Sequence, residues 1–215
     1  FQLGTGFVAF PWLQFTRVFL FLSLLLEVLK VLPCERNIIR FITTIVLFHF
    51  LWSIFTPLIF VLIKWTVIGK YKSGRYPFWS LYYLRWWFVD VCRKIIGRGI
   101  WGTSPFLLIR YYRMLGANIA YDARIAVEAE IAEYDLITIG HDASIEYSTL
   151  RGFGVDNGAM QLGTVHIGTS ASVGIRSVVA PFTTVPDGSH VAPATSSYEM
   201  TQNSDRHLEY NRYSV

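Results

Sequence analysis

Aliphatic residues recur at every sixth position through much of the last hundred residues of the chain. Ile167 begins a run that continues to Val191 without a break, and shorter runs begin at Ile119 and Ile139. The residue four places after each aliphatic is small in nine of ten cases. A period of six fits neither an α-helix nor an alternating strand, and it is typical of a parallel β-helix. The ten aliphatic positions are Ile119, Ile125, Ile131, Ile139, Ile145, Ile167, Val173, Val179, Val185 and Val191.

This period predicts the geometry of the domain. Each six-residue unit forms one short side of a triangular coil, with its aliphatic side chain inward and a small residue at the corner. Stacked coils then bury a continuous aliphatic core. We expect a mainly β fold of about four coils over residues 115–195, followed by a polar tail at 196–215. The alternative is a set of ordinary short strands, in which Val and Ile are also common.

Two apolar segments precede the repeats. Residues 41–63 contain no Asp, Glu, Lys or Arg, and a helix of this length would measure about 34 Å, enough to cross a bilayer. Residues 7–32 are also largely apolar but are interrupted by Arg17. We therefore predict a transmembrane helical hairpin over residues 1–69. A buried helix of a soluble domain is the alternative for the second segment.

Charge is unevenly distributed along the chain. Residues 64–114 carry ten basic groups and one acidic group, whereas residues 115–215 carry five basic and twelve acidic groups. Basic residues directly after an apolar segment place that side in the cytoplasm. The aromatic and apolar neighbours of these residues favour anionic lipid over nucleic acid. We predict that 70–114 is an amphipathic, interfacial linker, although its aromatic residues could equally pack against the coils.

The regular spacing fails at two places. Ile131 and Ile139 are eight residues apart, and the segment between them holds Glu133 and Asp135. Ile145 and Ile167 are separated by a glycine-rich segment. Insertions in a solenoid commonly form its working face, so both breaks are candidate sites.

The sequences around these breaks resemble a known family. The stretch AEYDLITIGHDASIEYSTLRGFGVD (132–156), the stretch VHIGTSASVGIRSVVAP (165–181) and the preceding GTSPFLLIRYYRMLGANI (102–119) are similar to the carboxy-terminal membrane units of nonribosomal-peptide-synthetase-like proteins, a family that includes poly-lysine synthetase. The resemblance implies a left-handed parallel β-helix of the hexapeptide-repeat acyltransferase type. It covers nearly the whole chain.

The resemblance also implies a function. Such units transfer an aminoacyl group from a phosphopantetheine-bound thioester to an amine, usually as tandem sister units or oligomers. Upstream adenylation and carrier domains supply the thioester, so ATP would act only there. This chain begins with Phe, and we expect it to be part of such a longer synthetase. A coenzyme-A-dependent O- or N-acetyltransferase and a non-catalytic scaffold unit remain as alternatives.

Carboxylates in the two breaks are the first candidates for catalysis. A carboxylate can act as a base toward an amine or bind an ammonium group. We therefore predict catalytic roles for Glu133, Asp135 and Asp156. Such residues also commonly close turns or brace loops, which is the structural alternative. The candidates for substrate binding are Arg151, Gly152 and Gly154.

Histidine is the usual base in soluble β-helix acyltransferases, and three histidines lie in the repeats. We predict His166 as a catalytic residue because it follows the glycine-rich break. His141 and His190 are weaker candidates. The three are widely spaced and form no close pair, which disfavours a metal site. Cys34 and Cys92 lack metal or redox spacing.

Overall fold

The structure, a computed structural model, describes residues 37–156 and 158–197. The first element in this part of the chain is a long helix. Helix α1 covers Asn37–Val67. Within it, Val46–Val67 is long and apolar enough, by length and composition, to cross a membrane. The first apolar segment, predicted as the other arm of the hairpin, lies outside the described residues, as does most of the polar tail.

Four short elements connect α1 to the repeats. They are strand β1 (Gly74–Pro77), helix α2 (Leu81–Ile96), a 3₁₀ turn (Gly99–Gly102) and helix α3 (Pro105–Met114).

Helix α2 has two different faces. It begins where the Ser80 hydroxyl accepts a hydrogen bond from the backbone N–H of Tyr83 (3.2 Å). Trp86 and Val89 are buried against the strands, whereas other large apolar side chains of the same helix are exposed. The buried residues agree with packing of this segment against the strands, and its interfacial position stays a prediction. The exposed apolar side chains of α2 are Leu81, Leu84 and Phe88.

The repeats fold into three parallel sheets. The first has the strand order β2–β5–β10–β13, the second β3–β6–β11–β14 and the third β4–β7–β12. Consecutive strands of the repeats therefore belong to different sheets, and each pairs with a strand from the next passage of the chain. We call these three sheets the three-sheet coil. The strands are β2 (Asn118–Ile119), β3 (Arg124–Ile125), β4 (Glu130–Ala132), β5 (Ile137–Ile139), β6 (Ser144–Ile145), β7 (Thr149–Arg151), β10 (Val165–Ile167), β11 (Ser172–Val173), β12 (Val178–Val179), β13 (Thr184–Val185) and β14 (His190–Val191).

The periodic aliphatic residues align across each sheet. In the first sheet Ile119 pairs with Ile139, which pairs with Ile167, which in turn pairs with Val185. All ten periodic residues are buried, and these side chains form the core that the pattern predicted. The prediction of a strand-rich domain with parallel sheets is therefore confirmed.

Both breaks in the spacing contain ordered structure. After Ile131, Glu133 takes a left-handed backbone conformation (φ 54°) and a 3₁₀ turn, Tyr134–Leu136, follows. At the second break, Leu150 pairs with Ile131 and Val179, one residue earlier than a strict period of six would place an aliphatic. The chain then forms a hairpin of β8 (Phe153–Asp156) and β9 (Ala159–Leu162), and β9 pairs antiparallel with β1.

Candidate functional site

Glu133 lies at the centre of a buried charged cluster. Its side chain is 2% exposed. One carboxylate oxygen accepts hydrogen bonds from Trp86 Nε1 (3.0 Å) and from an Arg151 terminal nitrogen (2.7 Å). The structure thus brings together two residues that the sequence analysis singled out, Glu133 and Arg151, and adds Trp86 from α2.

Asp90 extends this cluster along α2. It accepts a hydrogen bond from Arg151 at 3.2 Å and forms ion pairs with Arg93 (3.0 Å) and Lys94 (2.8 Å). Arg93 also contacts Glu130 at 2.9 Å. Burial alone would raise the pKa of Asp90, but the charges of Arg93 and Arg151 outweigh burial and hold that pKa below its ordinary value. We call Asp90, Arg93, Glu130, Glu133 and Arg151 the α2 network.

The α2 network joins α2 to two passages of the three-sheet coil. Asp90 and Arg93 come from the helix, whereas Glu130 and Arg151 come from paired strands. Burial lowers the pKa of Arg151, but the neighbouring carboxylates Glu133 and Asp90 reverse this and leave that pKa raised. Each charge in the cluster therefore has an opposite partner, which a buried ion needs. Its geometry supports a role in holding the helix.

Asp135 takes part in a separate contact. Its Oδ2 atom lies 2.6 Å from Lys64 Nζ, at the end of α1, and accepts a hydrogen bond from the backbone N–H of Tyr71 (3.1 Å). The Lys64 side chain is fully buried and its ammonium lies 3.7 Å from the centre of the Trp65 ring. Glu133 and Asp135 are two residues apart in sequence, yet one contacts α2 and the other contacts α1.

A polar groove of about 440 Å³ lies beside the α2 network. Arg98, on one wall, donates to the backbone oxygens of Val127 and Ala129. Glu128 and Arg176 are exposed on the groove, and neither side chain forms an ion pair or hydrogen bond within the described residues. The groove is lined by Arg93, Arg98, Glu128, Glu130, Tyr147, Ser148, Thr149, Arg176, Ser177 and Val178.

The remaining candidates from the second break lie in or next to the hairpin. Asp156 is exposed and accepts a hydrogen bond from Gln161 Nε2 (3.1 Å), so the structure does not pair it with Arg151. Gly152 and Gly154 are buried. A Cβ atom at Gly152 would lie 2.8 Å from the Gly163 backbone oxygen, which indicates that glycine is needed there for close strand packing.

The three histidines stand apart on the outer faces of the coil. His166 is exposed in β10 between Thr138 and Thr184 of the adjacent strands. His141 contacts Asp122 (3.0 Å), and His190 contacts Ser172 (2.6 Å). Among the described residues, no group of three or more His, Cys, Asp or Glu side chains could hold a metal ion.

Several residues of this region were not predicted from the sequence. Asp90, Arg93 and Lys94 are spaced to face one another on a helix, which is a recognisable pattern. Glu128 and Arg176 belong to regular repeats and carry no motif. Only the stacking of successive passages brings them to the same groove.

Comparison with known proteins gives one partial relationship. No protein-family model matches the chain, and no solved structure matches it significantly. A stretch of 125 residues, 58% of this chain, is 33% identical to the delta-poly-L-ornithine synthetase of Acinetobacter baumannii (strain AB307-0294). The matched stretch makes up 9% of that enzyme. The chain is therefore a distant homologue of a small part of a poly-amino-acid synthetase.

Proposed function

We propose that this chain is a membrane-tethered, acyltransferase-like unit of a peptide-synthetase-like protein. It would transfer an aminoacyl group from a carrier-bound thioester to an amine. The observation that carries this proposal is the 33% identity to delta-poly-L-ornithine synthetase over 58% of the chain. That name describes an enzyme that makes a polymer of amino acids, and such polymers are joined by amide bonds.

The fold supports the acyltransferase part of the proposal. Three parallel sheets with inward aliphatic residues in register suit a left-handed parallel β-helix of hexapeptide repeats, the architecture that the sequence resembles. Helix α1, with a stretch long enough to cross a bilayer, would be the membrane tether. The three-sheet coil would then lie on the cytoplasmic side. Tandem sister units, or further copies of this chain, would pack beside it.

The reaction needs few groups. The amine nitrogen attacks the thioester carbonyl, a C–N bond forms, the C–S bond breaks, and the pantetheine sulfur leaves as a thiolate. A base takes the proton of the amine, and the thiolate takes up a proton. The upstream adenylation and carrier domains would supply the thioester, with coenzyme A as the donor in the acetyltransferase alternative.

The polar groove is the place where we propose that substrate binds. Glu128 offers a carboxylate to an ammonium or acceptor amine, and Arg176 offers a guanidinium to a carboxylate or to the phosphate of pantetheine. Both groups are exposed and unpaired within the described residues. The catalytic roles of Asp156 and His166 stay predictions for accessible side chains. For Glu133 and Asp135, burial and ion pairing favour positioning of the helices.

The test uses the intact synthetase that contains this chain. Glu128→Gln removes the charge and keeps the side-chain length, and Arg176→Gln removes the charge with a shorter polar side chain. We expect each to lower polymer formation, measured by mass spectrometry, about tenfold to a hundredfold, as expected for one charged hydrogen bond. Amino-acid-dependent pyrophosphate exchange and carrier loading should be unchanged. Arg124→Gln is the matched control, since Arg124 is an exposed arginine outside the groove whose ion pair, among the described residues, is with exposed Asp142 (2.7 Å).

Two outcomes would redirect the proposal. Full polymer yield from both groove variants, and also from Asp156→Asn and His166→Ala, would favour a scaffold unit that supports a catalytic sister. Acetyl transfer from acetyl-coenzyme A by the purified chain, with no polymer formed, would favour the acetyltransferase.

A further inference from the structure

Helix α1 is longer than a bilayer requires. Its 31 residues correspond to about 46 Å, whereas the hydrocarbon core is about 30 Å thick. About ten residues of α1 must therefore lie outside the core. Charge pattern alone would assign residues 41–63 to the core, because Arg40 and Lys64 are the nearest charges on either side.

Contacts along the second half of α1 argue against that assignment. Near its end, Lys64 pairs with Asp135 and Trp65 Nε1 donates to the Met114 backbone oxygen (2.9 Å). Ten residues earlier in the helix, Trp101 Nε1 donates to the Ile54 backbone oxygen (3.3 Å). One side of the second half of α1 thus packs against elements that belong to the three-sheet coil and its connecting segment, while Ile59 and Leu62 of the same stretch are exposed.

The 3₁₀ turn fits closely against α1 at Pro57. Pro57 has no N–H, so the Ser53 carbonyl lacks its usual helical partner. Gly99 approaches this carbonyl so closely that an added Cβ would overlap the Ser53 oxygen and lie 3.0 Å from the Pro57 ring. The contact between this turn and α1 is therefore built into the backbone.

Charged residues of α2 lie beside α1 between Ser53 and Lys64. Helix α2 starts near the end of α1, where the Tyr82 hydroxyl accepts a hydrogen bond from the Lys72 backbone N–H (3.0 Å). It ends just before the turn that contacts Ser53, and so runs beside the second half of α1. It carries Asp90, Arg93 and Lys94. Placing these charges in hydrocarbon would cost several kcal/mol each, roughly 2.5–3.5 for a single Arg or Lys.

We infer that the membrane boundary falls at Ser53–Pro57, about two turns before Lys64. Residues 37–56 would form the bilayer-crossing part, about 30 Å long. Arg40 then lies one turn from the end of this part that is farther from the three-sheet coil, where a long basic side chain can reach the interface. The rest of α1 would lie outside the hydrocarbon core and hold the three-sheet coil through the contacts described above. This inference rests on the membrane tether of the proposed function, and it makes the turn at Gly99–Gly102 and the start of α3 the surface that meets lipid headgroups.

The start of α3 suits that position. Phe106 is 61% exposed, and the Arg110 guanidinium lies 4.3 Å from the centre of its ring. An exposed aromatic ring beside an exposed basic group is typical of the headgroup region, where the ring meets the acyl boundary and the cation meets phosphate.

The test measures depth along α1 in the full chain, reconstituted in phosphatidylcholine and phosphatidylglycerol vesicles. Cys34 and Cys92 are replaced by Ser, and single cysteines at Val46, Phe55 or Leu62, all exposed in the structure, carry a fluorophore. Lipids with nitroxides at different acyl carbons then report the depth of each label. We expect position 46 to lie deepest, position 55 near the glycerol level, and position 62 to be quenched by aqueous iodide instead.

The outcomes separate the two proposals. A label at position 55 that lies deeper than one at 46, with 62 inside the core, would overturn the inferred boundary and restore the one set by charge. If no acyl nitroxide quenches position 46, the membrane tether itself fails. A second readout is the start of α3: a label at Phe106 should be quenched by a headgroup nitroxide, and one at Tyr147, on the polar groove, should not.

Discussion

Lys64 Nζ lies 2.6 Å from Asp135 Oδ2 and joins the end of α1 directly to the loop between β4 and β5. The two side chains are 0% and 9% exposed. The apolar helix and the three-sheet coil are therefore connected by a buried ion pair as well as by the chain. The position of α1 therefore also determines the position of the three-sheet coil.

Asp135→Asn should destabilise the chain strongly. It leaves the Lys64 ammonium buried without a countercharge, and breaking one partner of a buried pair costs about 3–5 kcal/mol. Thermal unfolding of the detergent-solubilised chain measures the loss.

A double replacement distinguishes this explanation from simple loss of packing. Lys64→Met with Asp135→Asn removes both charges, while the introduced amide oxygen can still accept a hydrogen bond from the Tyr71 backbone N–H. This double variant should recover most of the stability, since no buried charge is then left without a countercharge. A double variant as unstable as Asp135→Asn would contradict the ion-pair explanation.

Glu133→Gln should also lower stability, by about 1.5–3 kcal/mol, because Arg151 then loses its nearest buried countercharge and keeps Asp90. The matched control is Glu130→Gln. The Glu130 side chain is 43% exposed, and within the part of the chain that the structure describes it pairs with Arg93 alone, so its loss should cost about 0–1 kcal/mol. Urea unfolding followed by tryptophan fluorescence suits this comparison because Trp86 contacts Glu133 directly.

A catalytic role for Glu133 would give a different result. The variant would then unfold at the same urea concentration as the unchanged chain, while polymer formation by the intact synthetase fell. Unfolding of both chains at the same urea concentration, together with lower polymer formation, would therefore support a catalytic role for Glu133.

Acid should weaken the contact between α2 and the three-sheet coil. The pKa of Asp90 lies below its ordinary value in the folded chain, so the stability that its ionised form contributes is fully present above the unfolded pKa of about 3.9. That contribution is lost as pH falls through the lower, folded pKa. We expect the stability difference between the unchanged chain and Asp90→Asn to be constant from about pH 7 to pH 5 and to shrink below about pH 4. A difference that instead grows on acidification contradicts this assignment.

The periodic aliphatic residues allowed most of the three-sheet coil to be predicted. Each such residue points inward whatever its neighbours do, so spacing alone identifies the core. Leu150 is the exception. It takes the inward position one residue early, which leaves Arg151 beside it free to reach Glu133 and Asp90.

The candidate site was less predictable for a physical reason. The breaks correctly drew attention to Glu133, Asp135 and Arg151, but sequence does not say whether a carboxylate faces solvent or a cation. The partners Lys64 and Asp90 lie 71 and 61 residues away in sequence from Asp135 and Arg151. Such distant pairings follow from how α1 and α2 pack, which no local pattern encodes.

Gly116 offers the sharpest test of the contact between α1 and the coil. Its φ is +107°, and an added Cβ would overlap Asp135 Oδ1 and lie 3.3 Å from Lys64 Nζ. Gly116→Ala should therefore displace the ion pair and cost more than backbone strain alone. Gly188→Ala is the control, because Gly188 also has positive φ (+66°) but an added Cβ there meets nothing within 4 Å.

Residues with side chains also adopt the backbone conformation of Gly188. Ser170 and Asp142 occupy corners of the coil with φ of 52° and 51°, so a side chain is tolerated in that conformation. We expect Gly188→Ala to cost about 1 kcal/mol and Gly116→Ala to lose several times as much stability in the same thermal unfolding experiment. Combining Gly116→Ala with Asp135→Asn should then add little, since both act on one contact. Full additivity would mean that the glycine acts through backbone strain and not through the ion pair.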